Sequence, residues 1–171
     1  KNLSWQNRCG NRMGVIKINQ KRTAGVLMHL SSLPGKYGTG VMGKEAKQFI
    51  DRLFAMDFHL WQVLPINPVD MSGSPYCSVS AFAGNISLID PLALFESGLI
   101  TEEELRENEY HGSIYVTDSA FAYSKRTETL RKAFSRITDD DRQLISLFLE
   151  QNAWVKDYAV FMALKAFHED K

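Results

Sequence analysis

Residues 72–85 read SGSPYCSVSAFAGN, and the residue types in this stretch suit recognition of an uncharged, polyhydroxylated ligand. Ser72, Ser74, Ser78 and Ser80 carry hydroxyls that both donate and accept, while Tyr76 and Phe82 present flat faces on which the C–H side of a ring can lie. A phosphate site would want cations or a nest of backbone amides. No dense cluster of Lys or Arg interrupts the stretch, which tilts it toward carbohydrate. It belongs to a connection of roughly 20 residues without periodicity, and the ordering entropy of so long a loop must be offset by something the loop does.

The elements that must hold this loop can be read on its N-terminal side. Residues 24–30, AGVLMHL, form a short apolar run of the kind a strand buried on both faces requires. After the turn-rich SSLPGKYGTG, residues 44–57 repeat apolar side chains at Ala46, Phe49, Ile50, Leu53 and Phe54, which predicts a helix with one buried face. Leu60, Trp61, Val63 and Leu64 then read as a second strand, which Pro65 and Pro68 end by removing backbone donors. Strand, helix and strand in this order predict a parallel pair joined by a right-handed crossover, and residues 86–90 form another short apolar segment, which Pro91 terminates or bends.

The glycines before the helix imitate nucleotide motifs. Gly38, Gly40 and Gly43 satisfy G-x-G-x-x-G, and Lys44 stands where a P-loop lysine would. Glu45, however, replaces the hydroxyl that would hold magnesium, and its charge suits a bare helix N-terminus better than a phosphate. No acid closes the second strand to take a ribose. The glycines are read instead as a tight turn that lets the loop lie close to its neighbours.

Taken together, the blocks LMHLSSLPGKYGTG, HLWQVLPINP, SPYCSVSAFAGN and LIDPLAL resemble the N-terminal part of the 4-α-glucanotransferase (amylomaltase, disproportionating enzyme) family, over about residues 23–99. The resemblance implies an α/β fold: a partial (β/α)8 TIM barrel, comprising the first βαβ unit and a following strand, with a mainly helical insertion. It implies an activity that cleaves an α-1,4 bond in a maltooligosaccharide and passes the glucan to another sugar's 4-hydroxyl. By the same resemblance, Ser74 contacts sugar hydroxyls, Tyr76 stacks on glucose beside the scissile bond, and Pro75 fixes the backbone between them. Val41, Asn67, Gly73, Cys77 and Ile86 depart from the family pattern, and Gly73 and Cys77 adjoin the sugar site.

Retaining cleavage of a glycosidic bond needs two carboxyl groups about 5–5.5 Å apart. The candidates here are Asp57, read as a solvated helix-end cap, Asp70 in the loop, and Asp90, read as a structural hydrogen-bonder; none makes a convincing pair. The resemblance places the catalytic acids on later barrel strands, beyond Lys171, and a barrel of roughly 250 residues exceeds this chain. The expectation is therefore a fragment without catalytic residues of its own, inactive alone. A related α-glucan hydrolase and a non-catalytic α-glucan-binding module are the alternatives. His29 is read as a satisfied interior histidine, His59 as partly exposed, Trp61 as filling the barrel wall, and Phe82 and Asn85 as bracing the loop.

Composition narrows the rest. With 20 Lys+Arg against 20 Asp+Glu, the balance argues against nucleic acid. No apolar run suggests a spanning segment, so no membrane is expected. No metal cluster or cofactor fingerprint is visible. Cys9 and Cys77, two and far apart, suit reduced thiols and a cytoplasmic setting. Residues 1–22 read as a poorly specified leader with Met13 as a candidate start, residues 23–100 as barrel, and residues 101–171 as the helical insertion. Within the last, Thr101 with Glu104 and Thr138 with Asp141 mark capped helix starts. Asp118 or Ser119 opens a longer helix with Tyr123, Leu130, Phe134 and Ile137 on one side. A final helix spans 154–167, with Trp154, Tyr158, Phe161, Met162 and Ala166 facing inward. Exposed barrel strands are expected to promote self-association.

Overall fold

The computed structural model describes residues 22–70, 73–113 and 115–168; Cys9, Met13 and Ser72 lie outside the described residues, as does the leader up to residue 21. Strand β1 (Gly25–Leu27) pairs in parallel with β2 (Leu60–Gln62), with Val26 opposite Trp61, and helix α1 (Lys44–Ala55) connects them. The expected βαβ order is therefore present. Both strands are shorter than the apolar runs suggested: residues 30–32 after β1 turn into a 3-10 helix ahead of Pro34, and β2 ends at Gln62, before Val63 and Leu64. Nor are the strands buried on both faces, since Leu27 and Leu60 are exposed. Helix α1 buries Ala46 and Leu53 but leaves Ile50 and Phe54 in solvent, so its inner face is narrower than its apolar stripe.

The expected further strand is absent among the described residues. Asn85 accepts a hydrogen bond from the Ser87 amide (2.9 Å) and starts a 3-10 turn over Ile86–Leu88. Two residues later Asp90 accepts from the Leu92 amide (3.0 Å) and caps helix α2 (Pro91–Glu96), with Pro91 at its first position. Asn, Asp and Pro at these places commit the backbone to turn and helix entry, which overrides the apolar character of Ile86–Ile89.

Helix α3 (Glu102–Arg106) begins with the expected capping box, in which Thr101 and Glu104 exchange hydrogen bonds. Helix α4 (Ser119–Phe134) is capped by Asp118, whose carboxylate accepts from the Phe121 amide at 2.9 Å. Helix α5 (Asp139–Gln151) opens on the Thr138–Asp141 box, and α6 (Trp154–Phe167) has the limits read from the sequence.

The buried face of α4 differs from the expected one. Ala122, Arg126, Thr129 and Ala133 face inward, while Tyr123 and Phe134 are exposed. Nothing in α5 or α6 is fully buried, and of the residues expected to face inward on α6 only Trp154, Tyr158 and Met162 are half-buried.

Among the described residues two apolar cores form. One joins Leu30, Leu33, Ala46 and Leu88, with Met28, Phe49 and Trp61 against it. The other joins Tyr37 and Val41 to Ile100, Leu105 and Ala133, so the glycine turn and the helices after residue 100 share one apolar cluster. The turn's glycines let it lie close to residues 30 and 90: a Cβ on Gly40 would stand 2.1 Å from the Leu30 carbonyl oxygen, and one on Gly43 would stand 2.1 Å from Oδ2 of Asp90.

Candidate functional site

The serine loop is shaped by its own hydroxyls. Ser74 Oγ accepts from the Tyr76 amide (3.3 Å), Ser78 Oγ donates to the Ser80 carbonyl (2.8 Å), and Ser80 Oγ accepts from the amides of Phe82 and Ala83 (3.2 and 3.1 Å). Short side chains that bond their own backbone two residues on form turns without any regular ladder. Residues 70–77 are closed further by the Asp70 amide donating to the Cys77 carbonyl (3.2 Å) and the Gly73 amide to the Asp70 carbonyl (3.0 Å), with Gly73 at φ 70°. At the far end Asn67 Nδ2 donates to the Ala83 carbonyl (3.1 Å) and the Asn85 amide to the Ile66 carbonyl (2.8 Å). The loop is therefore pinned at both ends.

On this frame Tyr76 is 72% exposed and Ser74, two positions before it, is half-buried. The pair forms an open ledge. Two surface hollows of ≈ 350 and ≈ 480 Å³ lie on α5 and α4, and neither includes any residue of the loop. A ledge that offers a phenol face and a neighbouring hydroxyl can hold one ring of a neutral sugar by stacking and hydrogen bonding.

The N-terminus of α4 backs the ledge. The Asp118 amide donates to the Gly38 carbonyl (2.8 Å), and a Cβ on Gly73 would come within 3.5 Å of Ser119 Oγ. Further along, Arg126 donates from Nη1 to Asn108 Oδ1 (2.8 Å), Asn108 Nδ2 donates to Thr129 Oγ1 (2.9 Å) and to the Glu104 carbonyl (2.8 Å), and all three side chains are buried. The Arg126 guanidinium also lies 5.7 Å from the centre of the Tyr37 ring. Burial pulls its pKa down to about 10 despite the opposing pull of Asp90, and burial together with Asp90 pushes the Tyr37 hydroxyl up to about 12. This joint was not read from the sequence. An Arg inside an otherwise polar helix gives no hint of burial until its partner Asn108, 18 residues away, is known.

The candidate acids stay separate in role. Asp57 occupies the turn after α1 at φ 62° with an exposed side chain 3.3 Å from His59 Nε2, as a solvated helix end would. Asp70 lies in the loop and Asp90 is the buried cap of α2, the structural role read for it. Among the described residues no group of His, Cys, Asp and Glu could hold a metal. His29 is half-buried with its pKa lowered by desolvation, against a smaller raising effect of its hydrogen bond with the Leu64 backbone; its Nδ1 has no partner. Trp61 is half-buried, donates from Nε1 to the Met28 carbonyl (2.8 Å) and meets Phe49 edge-on. Phe82 is 73% exposed and stacks on Trp154 with ring centres 5.7 Å apart, a contact between loop and helix that sequence reading did not find.

With this geometry in place, the chain can be compared with known proteins. Residues 28–171 match the profile of a family described as 4-alpha-glucanotransferase. The 4-alpha-glucanotransferase of Aquifex aeolicus is 43% identical over 147 residues, which is 84% of this chain and 29% of that protein. The enzyme of the same name from Thermus thermophilus is 40% identical over 152 residues, 86% of this chain and 29% of that one. Among solved structures, an amylomaltase from Streptococcus agalactiae in complex with acarbose superposes with a TM-score of 0.83 at 38% identity, covering 88% of this chain and 31% of its own. The chain thus spans under a third of the length of these relatives.

Proposed function

The chain belongs to the 4-alpha-glucanotransferase family, and from that premise we propose that it is the N-terminal part of an enzyme that transfers α-1,4-glucan segments between maltooligosaccharides. The observation that carries this reading is the exposed Tyr76 ring beside Ser74 on a loop pinned at both ends. Stacking by the ring and a hydrogen bond from the serine would orient a glucose unit; neither group supplies a nucleophile or a proton shuttle. Transfer by double displacement requires a nucleophilic carboxylate and an acid/base carboxyl about 5–5.5 Å apart, and a sugar hydroxyl in place of water as the second attacker. Asp57, Asp70 and Asp90 sit in a turn, a loop and a cap, and the family resemblance implies that those carboxyls belong to later barrel strands of a longer parent.

The same reading makes β1, α1 and β2 the opening of a (β/α)8 barrel, with residues 101–171 as its helical insertion. The parallel pairing and the crossover helix support it. The open edges of a two-stranded sheet support self-association of the chain on its own. No described helix is long and apolar enough to cross a membrane, and the cysteine usage favours a cytoplasmic location.

The test is product analysis with maltotriose. A parent carrying residues 1–171 and the rest of a family-length chain should give a ladder of shorter and longer oligomers, and residues 1–171 alone should give none. Only shorter products from the parent would assign hydrolysis instead, and turnover by residues 1–171 alone would show that they hold the catalytic acids.

A further inference from the structure

Strands β1 and β2 part just past their last paired residues, and side chains finish what the backbones leave open. The Met28 amide still donates to the Gln62 carbonyl (3.0 Å). By the register that sets Leu27 opposite Gln62, the next bond on that side of the ladder would run from the Leu30 amide to the Leu64 carbonyl. Leu30 starts the 3-10 turn instead, and Pro65 follows Leu64 without a donor of its own. The Trp61 indole takes the Met28 carbonyl (2.8 Å), and the His29 ring bonds the Leu64 backbone. Because His29 Nδ1 is buried without a partner, the nitrogen on Leu64 is Nε2, which carries the proton and donates to the carbonyl. The loop's own pins begin just beyond, at the Ile66 carbonyl and at Asn67. Those pins tie the two legs of the loop to each other, and the His29–Leu64 bond ties them to the end of β1.

We propose that His29 is a positioning residue for the sugar ledge: as a neutral ring protonated on Nε2 it clamps the root of the loop to β1 and so fixes where Tyr76 presents its face. This rests on the assignment of Ser74 and Tyr76 as a glucose-binding ledge. The clamp depends on the ring staying neutral. A second proton would go to Nδ1, where a buried N–H would lack an acceptor, and the charge would sit between Met28 and Leu30 of the apolar core. Residues 24–28, 30–35 and 60–68 carry no ionisable side chain. Of the charged side chains on α1, Lys44, Lys47, Asp51 and Arg52 are exposed and Glu45 bears on Tyr37. Burial therefore dominates and lowers the His29 pKa from its ordinary 6.5, against the smaller raising effect of the Leu64 bond. A histidine held neutral in this way contributes fully above 6.5, and its contribution fades as pH falls from there through the lower folded value.

The test compares wild-type residues 1–171 with His29→Gln, whose amide nitrogen reaches as far as Nε2 and does not titrate, and with His29→Leu, which fills the space without a donor. Imidazole nitrogen shifts at about pH 8 should show His29 as the Nε2–H tautomer. Maltotriose, followed by NMR at the Tyr76 amide, should bind His29→Leu about fivefold more weakly, the worth of one hydrogen bond, and His29→Gln as tightly as wild type. Between about pH 8 and about pH 5 the wild-type chain should lose affinity in step with the His29 ring shifts, and His29→Gln should lose less. His59, His111 and His168 are common to both proteins, so that difference belongs to His29. Wild-type affinity in a folded His29→Leu would overturn the clamp and keep the ledge. A His29→Gln as weak as His29→Leu, or one that shares the wild-type pH profile, would do the same, because the donor and its titration would then play no part. Should His29→Leu fail to fold, the wild-type and His29→Gln profiles decide alone. A Tyr76 amide that ignores maltotriose in the wild-type chain would overturn ledge and clamp together.

Discussion

Helices α4 and α6 are of similar length, 16 and 14 residues, yet their relation to the rest of the molecule is opposite. The more polar helix α4 buries Ala122, Arg126, Thr129 and Ala133, whereas the more apolar α6 buries nothing fully and leaves Val160, Phe161, Leu164 and Phe167 in solvent. Apolar content does not decide burial here. What fastens α4 is a joint in which Arg126 donates to Asn108 and Asn108 to Thr129, and it holds a charged side chain 1% exposed beside the apolar cluster of Tyr37, Val41 and Ile100 although the buried Arg126 Nε has no hydrogen-bond partner. Helix α6 touches the loop chiefly through one aromatic stack, and its remaining apolar face has the character of an interface.

The contrast can be broken most directly at Arg126. Arg126→Ala should lower the unfolding free energy in urea by about 3 kcal/mol, because it removes a large buried side chain and strips Asn108 of a donor. Arg126→Met, which fills the space without a charge to desolvate, should recover most of that loss. A loss under about 1 kcal/mol for Arg126→Ala would place α4's anchorage elsewhere. Next in size is Asp90→Ala, which uncaps α2 and should cost about 1 kcal/mol, with Asp90→Asn close to wild type.

On the other side of the comparison, Leu144→Ser and Phe148→Ser on the exposed face of α5 should change stability by no more than about 0.5 kcal/mol. The same pair should lower self-association in sedimentation experiments, since they break up an apolar patch.

The smallest effect concerns the surface clasp between α3 and the end of α4. Two hydrogen bonds from Arg136, and one from the Thr101 amide, hold the Glu104 carboxyl down to about 2 from its ordinary 4.5. A depressed carboxyl contributes stability that is fully present above the unfolded value and is lost as pH falls through the folded one. That contribution should therefore fade between about 4.5 and about 2, and Glu104→Gln should flatten the pH dependence of unfolding in that window.

Local chemistry was legible in the sequence wherever a residue acts within a few positions of itself. Both capping boxes, the limits of α6, the parallel βαβ order and the solvated end at Asp57 follow from spacing of that kind. Asn85 and Asp90-Pro91 carried equally local information, and reading Ile86–Ile89 by its apolar character alone hid it. Other features depend on partners far along the chain. The inward face of α4 is set by Asn108 and Tyr37, so of the expected stripe Tyr123 and Phe134 point to solvent while Leu130 and Ile137 are half-buried. The Phe82–Trp154 stack likewise needs both ends in view. Ser74 and Tyr76 were legible as chemistry, while the pinning that makes them a ledge came from Asn67 and Asn85.

Binding of maltotriose to residues 1–171, measured for the wild-type chain and for Tyr76→Ala, tests the central claim most directly. A ledge built on the phenol face predicts that the Tyr76 ring resonances move on titration and that Tyr76→Ala weakens binding about tenfold without unfolding the chain. Binding of equal strength in both proteins, with the Tyr76 ring unmoved, would contradict it.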